Sequence, residues 1–392
     1  MFRPQIQKTR VLFSLAVFCI LMVYIALANL EFEEAVGYQD KMKAAEIMEE
    51  CLSILYNEVN NEKISIDIDP FQTGLIFDDR DSPMITYGGQ TLESKQTVLK
   101  PNFAALIVDL FIKIDLTIGD TIAVGMTGSF PGANIALLSA CKAMGIVPII
   151  ITSVGGSEWG AIDSNFTWLD LEKSLFDSGV ISHRSKAVSL GGYSDMFDKN
   201  PENGYGGPEG KRLAERAIKR NGIKRIVNDK KERVSDREEI YKKNINDQLL
   251  ANYSAFVNIG GGVGSIGIKG KTTYGWGILD INKVAADERD YNMSGIIKEF
   301  AKNNVHLINI QQINKMIKND DGKELIKYGI NRNASKVTGE GLLFYLEVYT
   351  LNTVLVILLT LISTLGIVTA IGINSFHQIN KHMNTYETES IL

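Results

Sequence analysis

The stretch TIAVGMTGSFPGANIALLSACKAMGIVPIIITS, residues 121–153, sets the fold expected for the chain. Its apolar run at 121–124 predicts a short buried strand, and its β-branched run at 146–152 predicts a second strand. Between them, a glycine-rich loop leads into a helix predicted at 133–144, which Gly145 ends. This strand–loop–helix–strand order is the repeating unit of a parallel sheet.

The same alternation continues on both sides of this unit. Apolar residues at helical spacing predict helices at 35–59, from Pro101 onwards, and at 167–177, 208–220 and 238–252. Strands are predicted at 64–69, 187–190, 225–227 and 255–259. We therefore expect an α/β domain with an open, Rossmann-like, mostly parallel sheet.

Two uncharged apolar stretches, residues 11–30 and 348–373, bracket this domain. A helix needs about 20 apolar residues to cross a bilayer, so both stretches are long enough to be transmembrane helices. Neither has the charged face of a helix on the surface of a soluble domain. The sequence thus predicts terminal segments at 1–10 and 374–392, spans at 11–30 and 348–373, and a domain at 31–347.

The charges beside the spans predict their orientation. Basic residues alone precede the first span and acidic residues follow it: Arg3, Lys8 and Arg10, then Glu31, Glu33 and Glu34. Lys381 follows the second span, with His377 and His382 nearby. Because basic flanks stay in the cytoplasm, both termini are predicted to be cytoplasmic and the domain to be extracytoplasmic, at the cell membrane.

A cleavable signal sequence is the alternative for the N-terminus. Residues 26–28, Ala-Leu-Ala, resemble a signal-peptidase site after a short apolar region. Cleavage there would leave the domain on the same side of the membrane, held by the second span alone.

Composition narrows the function classes. With 41 basic and 46 acidic residues, the net charge of −5 argues against a chain that binds nucleic acid through its overall charge. The cysteines and histidines do not have the spacing of zinc ligands, so we expect no metal site, and no sequence feature calls for a cofactor. Cys51 and Cys141 are either a disulfide pair or two small buried residues.

The loop GMTGSFPGAN, residues 125–134, is the first candidate site. It follows a predicted strand and opens a helix, where bare backbone N–H groups favour an anion. Its candidate ligand-binding residues are Thr127, Gly128, Ser129, Gly132 and Asn134. The loop departs from dinucleotide and Walker patterns, because Asn134 replaces the last glycine and no lysine follows Gly132. An anionic or carboxylate ligand, a nucleotide and a purely structural tight turn remain alternatives.

Two further loops are candidates. In the loop GGGVGSIG, residues 260–267, we select Gly261, Gly262 and Gly264. These glycines either allow the backbone to approach a ligand closely or form a tight turn. In SVGGSEWGA, residues 153–161, Glu158 and Trp159 are expected near the first loop. Glu158 is either a general acid or base, a binding group, or a solvated side chain beside a half-buried indole.

A basic segment stands apart from these loops. Residues 211–233 hold ten lysines or arginines against three acids. Such a patch can concentrate a polyanion, and we select Lys219, Arg220, Lys224 and Arg225 as its contacts. A solvated helix face followed by a loop is the alternative.

Several segments together resemble the poly-γ-glutamate system protein family. They are KPNFAALIVDL (100–110), GMTGSFPG (125–132), SVGGSEWGA (153–161), FTWLD (166–170), SLGG (189–192) and VNIGGGVG (257–264). The resemblance covers most of residues 35–330, and it is the order of the motifs that makes it specific. Members of the family are membrane proteins associated with the synthesis and export of the bacterial polymer poly-γ-glutamate.

The resemblance implies a membrane-anchored accessory component of poly-γ-glutamate synthesis or export. Its partners would be the membrane proteins of that machinery and the polyanionic polymer, which carries one carboxylate per unit. The alternative is an extracytoplasmic enzyme that cleaves, transfers or releases the polymer. The family supplies no catalytic residue to carry over, so the catalytic residues are unknown at this point.

Overall fold

The structure, a computed structural model, describes residues 9–58, 67–69, 73–88, 91–202, 204–226, 232–268, 274–288, 291–327 and 339–389. The chain divides into two compact units. We call Met1–Glu34 with Tyr345–Leu392 the helical unit, and Ala35–Phe344 the α/β unit. Residues 64–66 of the predicted strand at 64–69, and residue 227 of the strand at 225–227, lie outside the described residues.

The strands are short. In chain order they are β1 (Leu30–Glu34), β2 (Ile85–Tyr87), β3 (Thr121–Thr127), β4 (Val147–Ser153), β5 (Gly156–Ser157), β6 (Ala187–Ser189), β7 (Lys224–Arg225), β8 (Ala255–Ile259), β9 (Gly277–Ile278), β10 (His306–Ile310) and β11 (Tyr345–Leu351).

The helices range from single turns to a long apolar helix at the end of the chain. They are α1 (Thr9–Ala28), α2 (Tyr38–Glu58), α3 (Leu92–Thr97), α4 (Asn102–Ile112), α5 (Pro131–Met144), α6 (Trp168–Asp177), α7 (Pro208–Asn221), α8 (Arg233–Lys243), α9 (Val263–Ile266), α10 (Ile281–Ala285), α11 (Tyr291–Ser294), α12 (Ile296–Lys302), α13 (Ile313–Met316) and α14 (Thr353–Glu389).

One seven-stranded sheet forms the centre of the α/β unit, in the order β7-β6-β4-β3-β8-β10-β9. Its strands run parallel except for the edge strand β9, which is antiparallel to β10. From β3 the chain moves outward through β4, β6 and β7, then returns to the other side of β3 for β8 and β10. Open α/β sheets bind ligands at the carboxyl ends of the strands where the order reverses. The predicted mixed α/β class and mostly parallel sheet are confirmed.

The segment 121–153 folds as its sequence predicts, with extended bounds. Strand β3 continues to Thr127, and α5 already begins at Pro131, whose fixed φ suits the first turn of a helix. Gly145 ends α5 in the left-handed conformation at φ +69°. Strand β4 pairs with β3 from Val147 but with β6 only from Ile151, so Pro148 lies where one edge of the strand is unpaired.

The sheet is buried on both faces, as parallel sheets usually are. All residues of β8, and all but the first of β3, are buried. On one face an aromatic cluster packs beneath β8: Tyr241, Tyr253, Phe256 and Phe300. The rings of Phe256 and Phe300 stack at 4.7 Å, and the Tyr241 hydroxyl donates to the carbonyl of Val124 at 2.7 Å. This cluster holds α8 and α12 against the sheet.

The helical unit consists of two apolar helices joined by a two-stranded ribbon. Thr9–Ala28 and Thr353–Lys381 are long and apolar enough to cross a membrane. Strand β1 pairs antiparallel with β11, with Leu30 opposite Leu351. The Asn29 amide donates to the carbonyl of Ile25 at the end of α1, and the Asn352 carboxamide oxygen accepts from the amide of Leu355 at the start of α14.

The predicted spans at 11–30 and 348–373 are wrong at the ends where these two asparagines lie. Residue 30 and residues 348–351 are strand rather than helix, because the chain leaves α1 at Asn29 and enters α14 only after Asn352. The apolar content alone could not separate a helix from a paired strand at these ends.

The predicted helix at 238–252 is also wrong in its bounds. Helix α8 starts earlier, at Arg233, and ends at Lys243. The next residues form two 3-10 turns, and Asp247 has a left-handed φ of +55°, which an α-helix does not accommodate.

Cys51 and Cys141 are free and fully buried, on α2 and α5 respectively. Burial raises the pKa of the Cys51 thiol to about 12 and also raises that of Cys141. They therefore act as small core residues, the second of the two alternatives given by the sequence.

Candidate functional site

The first two glycine loops meet at the carboxyl ends of β3 and β8. Thr127 ends β3, and its hydroxyl donates to the carbonyl of Ile259, the last residue of β8, at 3.4 Å. A Cβ added to Gly260 would lie 2.2 Å from the Thr127 Oγ1, and one added to Gly262 would lie 3.2 Å from its Cγ2. Only glycine allows this approach, so the structure brings Thr127 and Gly262 together at the reversal point of the sheet.

The first loop is closed by its own polar groups. Asn134 donates its side-chain amide to the carbonyl of Thr127 at 2.9 Å, and the backbone amide of Ser129 donates to the Thr127 hydroxyl at 3.2 Å. A Cβ on Gly132 would lie 2.5 Å from the carbonyl oxygen of Val98, so the backbone at Val98 covers the start of α5. All of Thr127, Ser129 and Asn134 are buried. A ligand at this loop would have to displace the segment at Val98, and its role in binding stays a prediction.

The third loop packs directly on the first. The backbone amide of Ala161 donates to the carbonyl of Gly128 at 2.8 Å, and that of Ser157 donates to the Ser129 hydroxyl at 3.2 Å. A Cβ on Gly128 would lie 2.7 Å from the carbonyl oxygen of Val154. The predicted neighbourhood of the two loops is therefore present.

Glu158 and Trp159 lie in this third loop and are half-buried. The Glu158 carboxylate accepts a hydrogen bond from the Tyr205 hydroxyl at 2.6 Å. Trp159 has a left-handed φ of +64°, and the Arg80 guanidinium lies 5.2 Å from the centre of its ring. Glu158 thus belongs to a small polar cluster at the surface.

A residue that the sequence did not single out reaches both loops. Lys95, on α3, is only 2% exposed. Its Nζ donates to the Ser157 hydroxyl at 2.7 Å and to the carbonyl of Ser129, and lies 3.7 Å from the centre of the Phe130 ring. Burial lowers the pKa of Lys95 well below its usual range, although the charge of Glu158 partly raises it.

Sequence patterns carried no signal for Lys95. Helix α3 is short and mostly polar, a composition that usually marks a solvated turn. Ser157 was part of a candidate loop but was not distinguished from its neighbours. Only the tertiary fold shows that a lysine distant in the chain contacts this serine.

Gly264 has a structural role. A Cβ there would lie 2.0 Å from the Arg237 Cζ, so the glycine leaves room for a buried guanidinium. Arg237 forms a buried ion pair with Asp195 at 2.6 Å and donates to the Ser189 hydroxyl at 2.8 Å. The third selected glycine, Gly261, is exposed beside the Gln311 side chain.

The four basic residues selected as polyanion contacts differ in their surroundings. Arg220 pairs with Asp170 through two bonds, at 2.7 and 2.5 Å, and Arg225 pairs with Glu215 at 2.8 Å. These ion pairs partly compensate the two arginines, whose role as polymer contacts stays a prediction. In the described part of the chain, Lys219 and Lys224 are exposed and make no ion pair, which makes them the stronger candidates.

A separate cavity of about 750 Å³ opens between Glu58, residues 74–83 and residues 160–171 of the α/β unit. Asp78, Asp79 and Asp163 line it together with apolar side chains such as Phe77 and Phe166. Its acidic lining makes it a poor site for a polyanion.

Comparison of the chain with protein-family models, with curated proteins and with solved structures finds no match. Function must therefore be argued from the residues of this chain and their arrangement.

Proposed function

We propose that the chain is a membrane-anchored component of poly-γ-glutamate synthesis or export, with an extracytoplasmic α/β unit that contacts the polymer or partner subunits. The observation that supports this most is where the segments resembling that family lie. Residues 125–132, 153–161, 189–192 and 257–264 are far apart in the chain but adjoin one another at the carboxyl edge of the sheet. The amide of Gly155, for example, donates to the carbonyl of Leu190 at 3.0 Å.

Connectivity and charge support the proposed placement outside the cytoplasm. The pairing of β1 with β11 brings the end of α1 and the start of α14 together. The α/β unit is inserted in the chain between these two strands, so its two connections leave from the paired strands β1 and β11. The basic residues Arg3, Lys8 and Arg10 at the opposite end of α1 favour a cytoplasmic N-terminus.

The proposed polymer contact is through Lys219 at the end of α7 and Lys224 in β7. Full-length protein in detergent, immobilised on a support, should retain poly-γ-glutamate, and retention should weaken as salt screens the charges. The double change Lys219→Gln with Lys224→Gln should lower retention about tenfold. A matched control, Lys186→Gln with Lys283→Gln, removes the same charge from other exposed positions and should leave retention unchanged.

The arginines give a second comparison in the same assay. Arg220→Gln should lower thermal stability by leaving Asp170 without its ion-pair partner, with little effect on retention. Equal losses for the lysine pair and its control would contradict a specific contact. Absence of retention, together with failure to co-purify with the polymer-synthesis proteins from membranes, would contradict the proposed function.

An enzyme that cleaves, transfers or releases the polymer is the second candidate. The contact between Lys95 and Ser157 favours it, because a serine needs a neighbouring base to act as a nucleophile. Shortening of polymer chains during the retention assay would support this candidate, whereas retention at constant chain length would support the binding component.

A further inference from the structure

We propose that Ser157 and Lys95 form an acyl-transfer centre, with the Ser157 hydroxyl as nucleophile and the Lys95 amine as its base. The centre is argued from geometry alone, and only its assignment to the γ-linked amides of the polymer rests on the proposed function. The two groups come from β5 and α3, and they lie at the carboxyl edge of the parallel sheet, where the first and third loops pack together.

The distance between the reacting groups already suits proton transfer. Lys95 Nζ and Ser157 Oγ are 2.7 Å apart, within the reach required of a nucleophile and its base. Both partners are held from a second direction. The Lys95 amine also donates to the carbonyl of Ser129, and the backbone amide of Ser157 donates to the Ser129 hydroxyl.

The surroundings of Lys95 favour its neutral amine form. Only this form can act as a base, because it has a free lone pair. The side chain is 2% exposed, so the charged form loses most of its hydration, and this cost outweighs the attraction of the ammonium form to the Phe130 ring face. No carboxylate forms a salt bridge with Lys95 in the described part of the chain. A neutral amine can donate one proton to the carbonyl of Ser129 and accept the proton of Ser157 with its lone pair.

The partly exposed groups next to the pair show where a substrate would enter. Glu158 follows Ser157 in the chain, acts electrostatically on Lys95, and is bonded to Tyr205. A Cβ on Gly88 would lie 2.6 Å from the Tyr205 ring and 3.0 Å from the Glu158 carboxylate, so these three residues form one contact. All three are half-buried but Ser157 itself is only 2% exposed, so the proposed reaction requires Tyr205 and Glu158 to separate before a substrate reaches Ser157.

The reaction balances with water or an amine as the acceptor. Ser157 Oγ bonds to the carbonyl carbon of an amide while its proton moves to Lys95 Nζ. The C–N bond then breaks, the leaving amine takes that proton, and an ester with Ser157 remains. A water molecule or an acceptor amine attacks the ester and gives a proton to Lys95. The bond from the carbonyl carbon to Oγ breaks, and Oγ recovers the proton.

A tagged fluorophosphonate tests the centre without reference to any substrate, because it phosphonylates activated serines. Full-length protein in detergent should be labelled at Ser157, as located by peptide mass. Labelling should disappear in Ser157→Ala and fall about 100-fold or more in Lys95→Met and Lys95→Arg. Ser153→Ala changes another buried serine at the same edge, which bonds Ser189 rather than Lys95, and should be labelled normally.

A pH series separates a base from a structural lysine. The labelling rate should rise with pH and level off well below the ordinary pKa of lysine, since the neutral amine is the active form. If Lys95→Met fails to fold, the pH profile of the unaltered protein and alkylation of Ser157→Cys still test the proposal. A Ser157→Cys thiol should react with iodoacetamide along the same pH profile.

Three outcomes are distinct. A folded protein that is not labelled at Ser157 between about pH 6 and about pH 10 overturns the centre. Labelling that is unchanged in Lys95→Met also overturns it, because the lysine would then not be the base. Labelling that depends on Lys95, in a protein that neither retains nor shortens poly-γ-glutamate and does not co-purify with the polymer-synthesis proteins, upholds the centre and refutes the proposed function.

Discussion

Glu172 on α6 is a carboxyl group placed where ionisation is costly. It is fully buried, and one oxygen accepts from the amide and hydroxyl of Ser185 at 3.0 and 2.8 Å. The other oxygen has no hydrogen bond, and the Arg184 Nε is 4.0 Å away. Burial raises the pKa of Glu172 to about 7, although the Ser185 bonds and the Arg184 charge oppose the rise.

This pKa makes the stability of the α/β unit depend on pH. Because the folded-state value of about 7 exceeds the ordinary 4.5, the folded state binds more protons between these values. Stability should therefore fall as pH rises through that window, by at most roughly 3 kcal/mol. Glu172→Gln should remove this dependence. Urea unfolding of the full chain, followed by tryptophan fluorescence from about pH 5 to about pH 8, measures it.

An exposed glutamate on α2 supplies the control. Glu46→Gln should leave the pH dependence of the unaltered protein in place. Parallel stability curves for Glu172→Gln and the unaltered chain would show that Glu172 does not ionise at a cost. All three tryptophans, Trp159, Trp168 and Trp276, lie in the α/β unit, so their fluorescence reports on that unit alone.

An ion pair joins helices α2 and α4, in which one aspartate contacts a buried lysine and an exposed lysine. Asp109 on α4 accepts from Lys41 of α2 at 2.7 Å and from Lys113 at 3.0 Å. The Lys41 side chain is 3% exposed, whereas that of Lys113 is 58% exposed. Burial pushes the pKa of Asp109 up, but the hydrogen bonds and charges of the two lysines outweigh it and hold the pKa below its usual value.

The two lysines should therefore contribute differently to stability. Lys41→Met leaves a partly buried carboxylate without its best partner and should lower the free energy of unfolding by about 3 kcal/mol. Lys113→Met removes an exposed partner and should cost less than about 1 kcal/mol. Urea midpoints of the two variants at neutral pH give the comparison. Similar losses for both would contradict a specific α2–α4 link.

At the level of elements, the hydrophobic periodicity of the sequence predicted the helices and strands that have a clear apolar pattern. The unit at 121–153 was predictable because Gly145 marks the end of the helix and the β-branched run marks β4, although the helix begins two residues earlier than predicted, at Pro131. Strand β1 and helix α3 were not predicted. The residues of β1 become a strand only by pairing with β11, and α3 is a short polar helix with no apolar face. Pairings between distant segments leave little trace in local sequence.

The same limit explains what the sequence missed at the candidate site. Thr127 and Gly262 meet because β3 and β8 are neighbouring parallel strands, and the sequence alone did not show this pairing. The ion pairs of Arg220 and Arg225 depend on Asp170 and on Glu215, and charge counting along the segment does not show them. Lys95 lies on α3 and Ser157 in β5, and only the folded chain places them together.

On the scale of the whole molecule, the α/β unit is an insertion between the paired strands β1 and β11 of the helical unit. Both of its ends therefore lead to apolar helices. Within the helical unit α1 packs on α14, where a Cβ on Gly366 would lie 3.3 Å from the Phe18 ring, and the uncleaved anchor and the signal sequence stay the two alternatives for α1. In the proposed arrangement, the two helices are a membrane hairpin and the α/β unit lies outside the cytoplasm.

Labelling of introduced cysteines in intact spheroplasts with a membrane-impermeant maleimide tests this placement. Lys283→Cys is an exposed position of the α/β unit, and Lys381→Cys lies at the far end of the second apolar helix. Cys51 and Cys141 should stay silent, because both thiols are buried. We expect Lys283→Cys to react in intact spheroplasts and Lys381→Cys only after permeabilisation. Labelling of Lys381→Cys from outside, with Lys283→Cys protected until lysis, would contradict the placement of the α/β unit.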